Sequence, residues 1–184
     1  GVLGYISAEG GLEVSLQRSA RSNINSIIEI MDYKCPGDWH VTNGQLYKGD
    51  TQISGNESIV DYLGGVCEGH VTFFNGDTRT ATTVKEKSGQ RALGTKASEK
   101  VIEEVLKGGK SFTGHAEVLE EDYDSAYVPI KDEHGTTIGM IFVGLPDKSL
   151  NDVVNNLIFS ILVAMFIIIV VLGILSWIVF GKQM

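Results

Sequence analysis

The sequence predicts an α+β fold with a central antiparallel sheet, followed by a C-terminal transmembrane helix, and three observations support this prediction. Apolar residues between positions 12 and 33 recur at three- and four-residue steps, which is the period of an amphipathic helix. Alternating runs joined by Asn-Gly and His-Gly follow, and these are typical of strands connected by hairpins. Residues 157–180 contain no charged side chain.

The composition is that of one globular domain with an acidic surface. Of the 184 residues, 43% are hydrophobic and 21% are charged, and the formal net charge is −8. Lys182 is the only charged residue beyond position 152, so the acidic excess lies entirely before the apolar segment. Binding to nucleic acid requires clustered Lys and Arg. We therefore expect no nucleic acid partner.

A long N-terminal helix is predicted over residues 8–34. Its apolar stripe consists of Leu12, Leu16, Ala20, Ile24, Ile27, Ile28 and Met31. The helix is expected to end at Cys35-Pro36-Gly37, because proline lacks the amide proton that a helix requires and glycine tolerates the turn. The stripe needs an apolar partner, so we expect a homodimer, with packing on the chain's own sheet as the alternative.

Three β-hairpins are predicted from their turns. Asn43-Gly44 and Asn75-Gly76 are dipeptides that readily adopt the positive φ of a tight two-residue turn. The third hairpin turns at Glu133-His134-Gly135. Strands joined in this way, with helices between them, favour an antiparallel sheet.

Two short helices are predicted between the hairpins. The first covers Glu57–Leu63, with Asn56 as its N-cap and Gly64-Gly65 as its end. The second covers Ser98–Lys107, in which apolar residues share one face and charged residues the other. This pattern predicts a surface helix that lies on the sheet.

Leu157–Phe180 is predicted to cross a lipid bilayer, as part of a helix over residues 153–180. Its twenty-four uncharged residues, at about 1.5 Å per residue, cover the roughly 30 Å of a hydrocarbon core. Trp177 suits the membrane interface, and Lys182 indicates that this end is cytoplasmic.

The predicted span sets the remaining domain boundaries. Residues 8–152 are expected to be extracytoplasmic. Residues 1–7 are expected to end a preceding transmembrane helix, and residues 35–147 to form the α+β domain. Residues 181–184 are expected to begin a cytoplasmic linker.

The two cysteines leave three alternatives open. In an extracytoplasmic domain, Cys35 and Cys67 are expected first to form a disulfide. Two free thiols are the second alternative. The third is a metal site with two thiolates and two imidazoles, because the sequence pairs Cys35-x4-His40 with Cys67-x2-His70.

No motif of an enzyme active site is present. The sequence lacks a nucleotide-binding loop, a nucleophile elbow and a zinc-protease helix motif. Its four histidines, among them His115 and His134, are scattered. We expect neither catalytic activity nor a cofactor.

Two short stretches depart from the average charge. Residues 78–98 contain five basic residues and one acid, Glu86. Within them, Arg79 and Arg91 are candidates for holding a carboxylate in bidentate geometry, the alternative being that the basic side chains only face solvent. The candidate hydroxyl donors are Thr82, Thr83 and Thr95. Residues 117–124 contain five acids and no base, which indicates either a solvated edge or a site for a cation such as Ca²⁺.

Several motifs follow one another in a characteristic order. They are PGDW at 36–39, LYKGD at 46–50, FNGDTRTATTV at 74–84, GQRALGTKAS at 89–98, VLKGG at 105–109, YDSAYVPIKDEHG at 123–135 and IGMIFVGLP at 138–146. Over about residues 11–180, this order resembles the single Cache sensor domain of bacterial and archaeal methyl-accepting chemotaxis proteins. The resemblance implies a PAS-like fold, with a long N-terminal helix behind the central sheet and a ligand pocket on the other side.

The resemblance also implies which residues bind the ligand. The implied contacts are Arg79, Thr82, Arg91, Thr95, Lys96, Ser125 and Tyr127, with Phe74 and Tyr123 as walls. Many relatives sense small carboxylates, which suits the arginines. Glu120-Glu121-Asp122 stands where relatives often have a neutral, glycine-containing turn.

The function implied is that of the ligand-sensing and transmembrane signalling region of a chemotaxis receptor. Its expected partners are a small molecule, the lipid bilayer through Leu157–Phe180, and a second copy of the chain. Two alternatives remain: the input domain of a sensor histidine kinase, and a membrane-tethered metal-binding or structural module.

Overall fold

A five-stranded antiparallel sheet lies at the centre of the larger of two structural units. The structure, a computed structural model, describes residues 2–146 and 150–181. It divides into a unit over Gly1–Asp147 and a second over Lys148–Met184. In chain order the elements are α1 (Val2–Lys34), β1 (Trp39–Thr42), β2 (Gln45–Lys48), β3 (Thr51–Gln52), α2 (Glu57–Cys67), β4 (His70–Asn75), β5 (Thr78–Thr82), α3 (Glu99–Val101) with a π-helical continuation (Ile102–Lys107), β6 (Phe112–Val118), β7 (Glu121–Lys131), β8 (Thr137–Pro146) and α4 (Leu150–Gly181).

The strand order confirms the predicted α+β class. The large sheet runs β5-β4-β8-β7-β6, and every neighbouring pair is antiparallel. The central strand β8 pairs with both β4 and β7, so that Phe74 lies opposite Met140 and Tyr127 lies opposite Phe142. A separate three-stranded sheet has the order β1-β2-β3.

Two of the predicted turns are confirmed, and the third lies one residue further along. Asn43 and Gly44 adopt φ values of 51° and 76° between β1 and β2, as a tight hairpin turn requires. Gly135 has a φ of 79° in the turn between β7 and β8. Asn75 pairs with Thr78, so the two turn residues of the β4–β5 hairpin are Gly76 and Asp77 rather than Asn75 and Gly76.

A fourth hairpin, β6–β7, was not predicted from the sequence. Val118 pairs with Glu121, which leaves Leu119 and Glu120 as its two turn residues. Both have positive φ, 55° and 68°, although neither is glycine or asparagine. The turn lacks the residues that normally identify it in a sequence.

Helix α1 buries the predicted apolar stripe. Ala20, Ile24, Ile27 and Met31 are all buried against the sheet, whereas Val14 is exposed. The helix ends at Lys34, immediately before Cys35-Pro36-Gly37, as predicted. Gly1 and the side chains of the predicted preceding span lie outside the described part of the chain.

Helix α2 begins as predicted but does not end at Gly64-Gly65. The Asn56 side-chain oxygen accepts a hydrogen bond of 3.1 Å from the Ile59 amide, which caps the first turn. The helix continues to Cys67, since Glu68 takes the left-handed conformation that closes it. The buried side chains of Val60, Leu63 and Cys67 hold the last turns against the core.

The second predicted helix is present in two forms. Glu99–Val101 is α-helical and Ile102–Lys107 is π-helical, and the Ser98 side chain makes no capping hydrogen bond. Val101 and Val105 are buried on its inner face, so it lies on the sheet as predicted.

The large sheet separates two apolar cores. On one face, α1 and α2 pack on alternate residues of the strands, including Val71, Phe73 and Val143. On the other face, which we call the pocket face, Phe74 and Phe142 lie beneath the α3 region. The period of two along the strands thus directs neighbouring residues into different cores. In β5 a register shift opposite Phe73 and Phe74 interrupts this period, so Arg79 lies beside Phe74 while Ala81 lies in the other core.

Helix α4 forms the second unit. Its described side chains, those of residues 157–172, are all exposed. Among the described residues, the structure contains no helical stretch that meets both the length and the apolarity needed to cross a bilayer. The remainder of the predicted span and the predicted linker at 182–184 lie outside the described side chains.

Candidate ligand-binding site

The pocket face gathers most of the residues implied by the motif resemblance. Phe74 on β4 pairs with Arg79 on β5, and both are buried. On β7, alternate residues Tyr123, Ser125 and Tyr127 are buried on the same side of the sheet. Sequence positions more than forty residues apart therefore meet on one surface.

The segment of residues 83–98, which we call the covering segment, extends along the edge of the sheet beside β5. Arg79 donates its amide proton to the Thr95 carbonyl at 2.9 Å and accepts one from the Gly94 amide at 2.9 Å. Val84, Ala92 and Ala97 of this segment are buried in the core of the pocket face. The covering segment thus closes the sheet edge and contributes to the apolar core of the pocket face.

Arg79 is the central polar group of this site. Its side chain is only 5% exposed, and its guanidinium lies 5.1 Å from the centre of the Phe74 ring. Nη1 donates to Thr95 Oγ1 at 2.8 Å and to the Lys96 carbonyl at 2.9 Å. Nε is buried and has no hydrogen-bond partner among the described atoms. Burial lowers the pKa of Arg79, because water no longer solvates the charged form.

The guanidinium has no acidic counterion among the described residues. The ion pairs of the described chain use Arg91, Lys48, Lys87, Lys96, Lys107 and two histidines, but not Arg79. A buried charge without a counterion is costly, and a bound anion would offset that cost. The arrangement is chemically suited to a small carboxylate.

Aromatic side chains form the apolar wall beside Arg79. The Tyr127 ring centre lies 4.9 Å from that of Phe142, 6.0 Å from Phe112 and 6.4 Å from Phe74. Burial raises the pKa of Tyr127 to about 12, against the opposing effect of the Arg79 charge. The phenol therefore stays protonated at neutral pH and keeps its proton as a hydrogen-bond donor.

Hydroxyl groups complete the pocket face. Thr72 and Thr82 share a buried hydrogen bond of 2.6 Å, and Thr82 also accepts one from the Val84 amide at 3.0 Å. Ser125 donates to the Gly114 carbonyl at 2.8 Å. These hydroxyls are held in place by the strands themselves.

Tyr123 lies at the rim of the pocket face rather than beside Arg79. Its hydroxyl donates to a Glu121 carboxylate oxygen at 2.7 Å. Burial and the carboxylate of Glu121 raise the pKa of Tyr123. The edge of its ring meets His70 at a centroid distance of 5.5 Å.

Arg91 and Lys96, which the resemblance implied as ligand contacts, have other partners. Arg91 Nη2 forms a bidentate ion pair with Asp61 at 2.8 and 2.9 Å, and Nη1 donates to the Thr82 carbonyl at 2.7 Å. Lys96 is 69% exposed and pairs with Asp77 at 2.8 Å. Arg91 therefore fastens the covering segment to α2, and Lys96 faces solvent.

The basic and acidic stretches partly neutralise each other. Lys87 of the covering segment forms an ion pair with Glu120 in the β6–β7 turn. Within the same acidic stretch, Asp122 accepts from His115 at 3.0 Å. The hairpin end of the acidic stretch is solvated, whereas Asp124 at its far end is buried and Glu121 accepts a hydrogen bond from Tyr123.

Several pocket residues were missed in the sequence. They are Thr72, Val84, Ala92, Phe112, Val118, Met140 and Phe142. Phe112 and Val118 lie on β6, the strand that was not predicted. Met140 and Phe142 lie in a predicted strand. The period of two along β8, which places both residues on one face, was the signal available in the sequence.

The predicted disulfide is not formed, and both cysteines are buried free thiols. The Asn23 side-chain amide donates to the Cys67 carbonyl at 3.0 Å, which places Cys67 beside that position of α1. Cys35 follows the end of α1 twelve residues later, a rise of about 18 Å. A disulfide requires Cα atoms within about 7 Å.

The alternative metal site is not assembled either. His40 stacks on Tyr47 and His70 lies within 3.3 Å of the Thr83 hydroxyl, each in its own part of the fold. Across the described ranges, no three His, Cys, Asp or Glu side chains are grouped so as to hold a metal ion.

A cavity of about 640 Å³ lies away from the pocket face. Its polar lining is mainly acidic and comes from β1, the β2–β3 turn and the β7–β8 turn; it includes Asp38, Asp50, Asp132 and Glu133. None of the residues implied as ligand contacts lines this cavity.

The sheet, its buried arginine and the covering segment together have the form of a ligand-sensing domain. The chain belongs to the single Cache domain 3 family, whose model matches residues 41–157 and includes every residue implied as a ligand contact. The chain thus carries a Cache sensor domain. Among solved structures, the sensor domain of E. coli DcuS matches 80% of this chain and 97% of its own, with 14% identity and a TM-score of 0.43. A search of curated proteins gave no match.

Proposed function

We propose that this chain is the extracytoplasmic sensing and transmembrane signalling region of a chemotaxis receptor, and that it binds a small carboxylate. In this proposal the pocket face is the binding site, α4 carries Leu157–Phe180 across the membrane, and the chain has no catalytic activity. The proposal excludes a cofactor and a nucleic acid partner.

The buried guanidinium of Arg79 is the observation that supports a carboxylate ligand. Nη1 is committed to Thr95 and Lys96, which leaves the edge containing Nε for a ligand. Arginine binds carboxylates through two parallel N–H···O bonds, and these are strongest where water is excluded. An anion bound there converts an uncompensated buried charge into an ion pair.

The membrane and receptor parts of the proposal rest on the sequence. An uncharged segment of this length and hydrophobicity is typical of a transmembrane helix. The order of motifs resembles that of methyl-accepting chemotaxis proteins, which favours a chemotaxis receptor over a sensor kinase. The coding sequence downstream of Met184 tests this choice directly. The exposed side chain of Val14 on α1 favours a homodimer.

The test measures binding to the full 184-residue chain in detergent, by calorimetry and thermal shift. We expect propionate to bind and raise the melting temperature, and propionamide, which lacks the charge, to do neither. Arg79→Ala is expected to abolish propionate binding, and Arg79→Lys to weaken it at least about tenfold, because lysine cannot form the bidentate contact.

The matched control is Arg18→Ala, at an exposed position of α1, which should bind propionate as the unmodified chain does. The comparison of propionate with propionamide needs no variant, so it stands even if Arg79→Ala fails to fold. Equal binding of the amide and the acid would contradict carboxylate recognition.

A further inference from the structure

The pocket face contains a single charged group near the proposed carboxylate position. Three charged side chains are buried in the described chain: Lys48, Arg79 and Asp124. Lys48 is paired with Asp32 of α1 at 2.8 Å, on the other side of the sheet. Asp124 alternates with Tyr123 and Ser125 along β7, so it belongs to the face opposite the pocket.

The other cations nearby are not available to a second anionic group. Arg91 is held by Asp61 and Lys96 by Asp77. Lys100 lies 4.8 Å from the Phe112 ring centre, but it is exposed to solvent. A second carboxylate on the ligand would therefore meet aromatic rings, aliphatic side chains and hydroxyls instead of a cation.

The described acids nearest the pocket face are not available to an amine. Asp77, two residues before Arg79, is paired with Lys96 at 2.8 Å, and Glu121, at the start of β7, accepts from Tyr123. Arg79 is level with Phe74, Met140 and Pro129 across the paired strands. Pro129 lies eight residues from Glu121 along β7, a distance of roughly 26 Å at 3.3 Å per residue. The ammonium of an α-amino acid bound at Arg79 cannot reach it.

These placements define the ligand by its charge. Resting on the proposed function, we infer that the site selects short-chain monocarboxylates and rejects both dicarboxylates and α-amino acids. A monocarboxylate neutralises Arg79 and places its apolar chain against Phe74, Tyr127 and Phe142. A dicarboxylate or an amino acid buries one further charge that no described side chain pairs, and such burial is strongly unfavourable.

The test is calorimetry on the full chain in detergent at neutral pH, with propionate, succinate, monomethyl succinate and L-alanine as the four probes. We expect propionate to bind at least about a hundredfold more tightly than succinate or L-alanine, because each of the latter leaves a buried charge unpaired. Monomethyl succinate is the matched control, since it has nearly the size of succinate but a single charge. It should bind within about tenfold of propionate.

Each result separates the specificity from the proposed function. Binding of succinate or L-alanine as tight as that of propionate would overturn the specificity and leave carboxylate sensing intact. Exclusion of monomethyl succinate together with succinate would overturn the charge argument, because size would then account for both. If no carboxylate binds, the proposed function fails and the specificity fails with it.

Discussion

At the scale of single residues, His70 makes the stability of the fold depend on pH. Its Nδ1 lies 3.3 Å from the Thr83 hydroxyl, and its ring meets the edge of Tyr123. Burial lowers the pKa of His70 below its usual value, although Thr83 and Glu121 oppose the shift. The folded chain therefore holds a neutral imidazole more firmly than the unfolded chain does.

We expect His70→Gln to reduce the loss of stability on acidification. In the unmodified chain the unfolded state binds more protons just below the usual histidine pKa of about 6.5, so the free energy of unfolding decreases as pH falls through that range. The measurement is the melting temperature between pH 7.5 and 5. Over this range, His70→Gln should show a smaller decrease than the unmodified chain.

The control for this experiment is His134→Gln. His134 is 78% exposed in the β7–β8 turn, so its removal takes an imidazole from water rather than from packed surroundings. Its variant should follow the pH profile of the unmodified chain. A His70→Gln profile that also follows it would contradict the role assigned to burial.

At the scale of elements, Arg91 joins the covering segment to α2. Its guanidinium is 19% exposed and contacts Asp61 through two hydrogen bonds and Glu57 at 3.4 Å. Because Nη1 also holds the Thr82 carbonyl, one side chain connects α2, β5 and the covering segment.

A double-mutant cycle measures this connection. We expect Arg91→Ala and Asp61→Ala to show a coupling of about 1 kcal/mol in the free energy of unfolding, the usual worth of a partly exposed bidentate pair. Urea titrations followed by tryptophan fluorescence give the four values. Arg91→Ala with Glu57→Ala is the matched cycle, and its coupling should be smaller, since that contact is single and longer. Equal couplings would contradict the bidentate clamp.

Gly139 controls how closely β8 approaches β4. A Cβ atom at this position would lie 2.1 Å from the Phe74 carbonyl oxygen, which is backbone and cannot move aside without disturbing the sheet. We therefore expect Gly139→Ala to lower the free energy of unfolding by about 2 to 4 kcal/mol.

Gly65 supplies the opposite case for the same substitution. It lies within α2, and nothing lies within 4 Å of the position of its Cβ. Gly65→Ala should raise the free energy of unfolding by about 0.5 to 1 kcal/mol, because alanine favours a helix. Chemical denaturation of both variants checks the pair, and a neutral Gly139→Ala would show that the strands can separate.

At the scale of the whole molecule, the proposal that α4 crosses the membrane predicts how the chain partitions. Expressed in cells, the full chain should remain with the membrane pellet after alkaline carbonate extraction, whereas a chain ending at Asp147 should be released. Ile168→Lys with Val171→Lys should increase release of the full chain, since each charge at a span centre costs about 2.5 to 3.5 kcal/mol. Ile168→Leu with Val171→Leu should not. Complete release of the unmodified chain would contradict the span.

What the sequence could predict was set by local chemistry. Asn43-Gly44 specifies its hairpin through the φ values of two adjacent residues, and Asn56 specifies a helix start through one hydrogen bond. Leu119 and Glu120 form the same kind of turn without a recognisable residue, so the β6–β7 hairpin could not be predicted. Gly64-Gly65 failed as a helix stop, because a glycine costs a helix only about 1 kcal/mol and packing of the following turn outweighs it.

The candidate site shows the same difference between residues that a local motif identifies and residues whose role only the fold determines. Arg79 and Tyr127 were identified by a motif, and the folded sheet brings them to one face. The role of Arg91 depends on Asp61, which lies thirty residues earlier and is brought close only by the fold. Cys35 and Cys67 show the reverse case: two residues that chemistry would pair are held apart by the rise of α1.

The alternation of β7 has a consequence for how such a sensor diversifies. Tyr123, Ser125 and Tyr127 lie on the pocket face, whereas Ala126 and Val128 pack toward α1. If the proposed site is correct, substitutions at odd-numbered positions of this strand change which molecule is detected, while Ala126 and Val128 keep their places in the core beside α1. A lineage of such sensors can therefore acquire a new ligand specificity while it keeps the inherited fold.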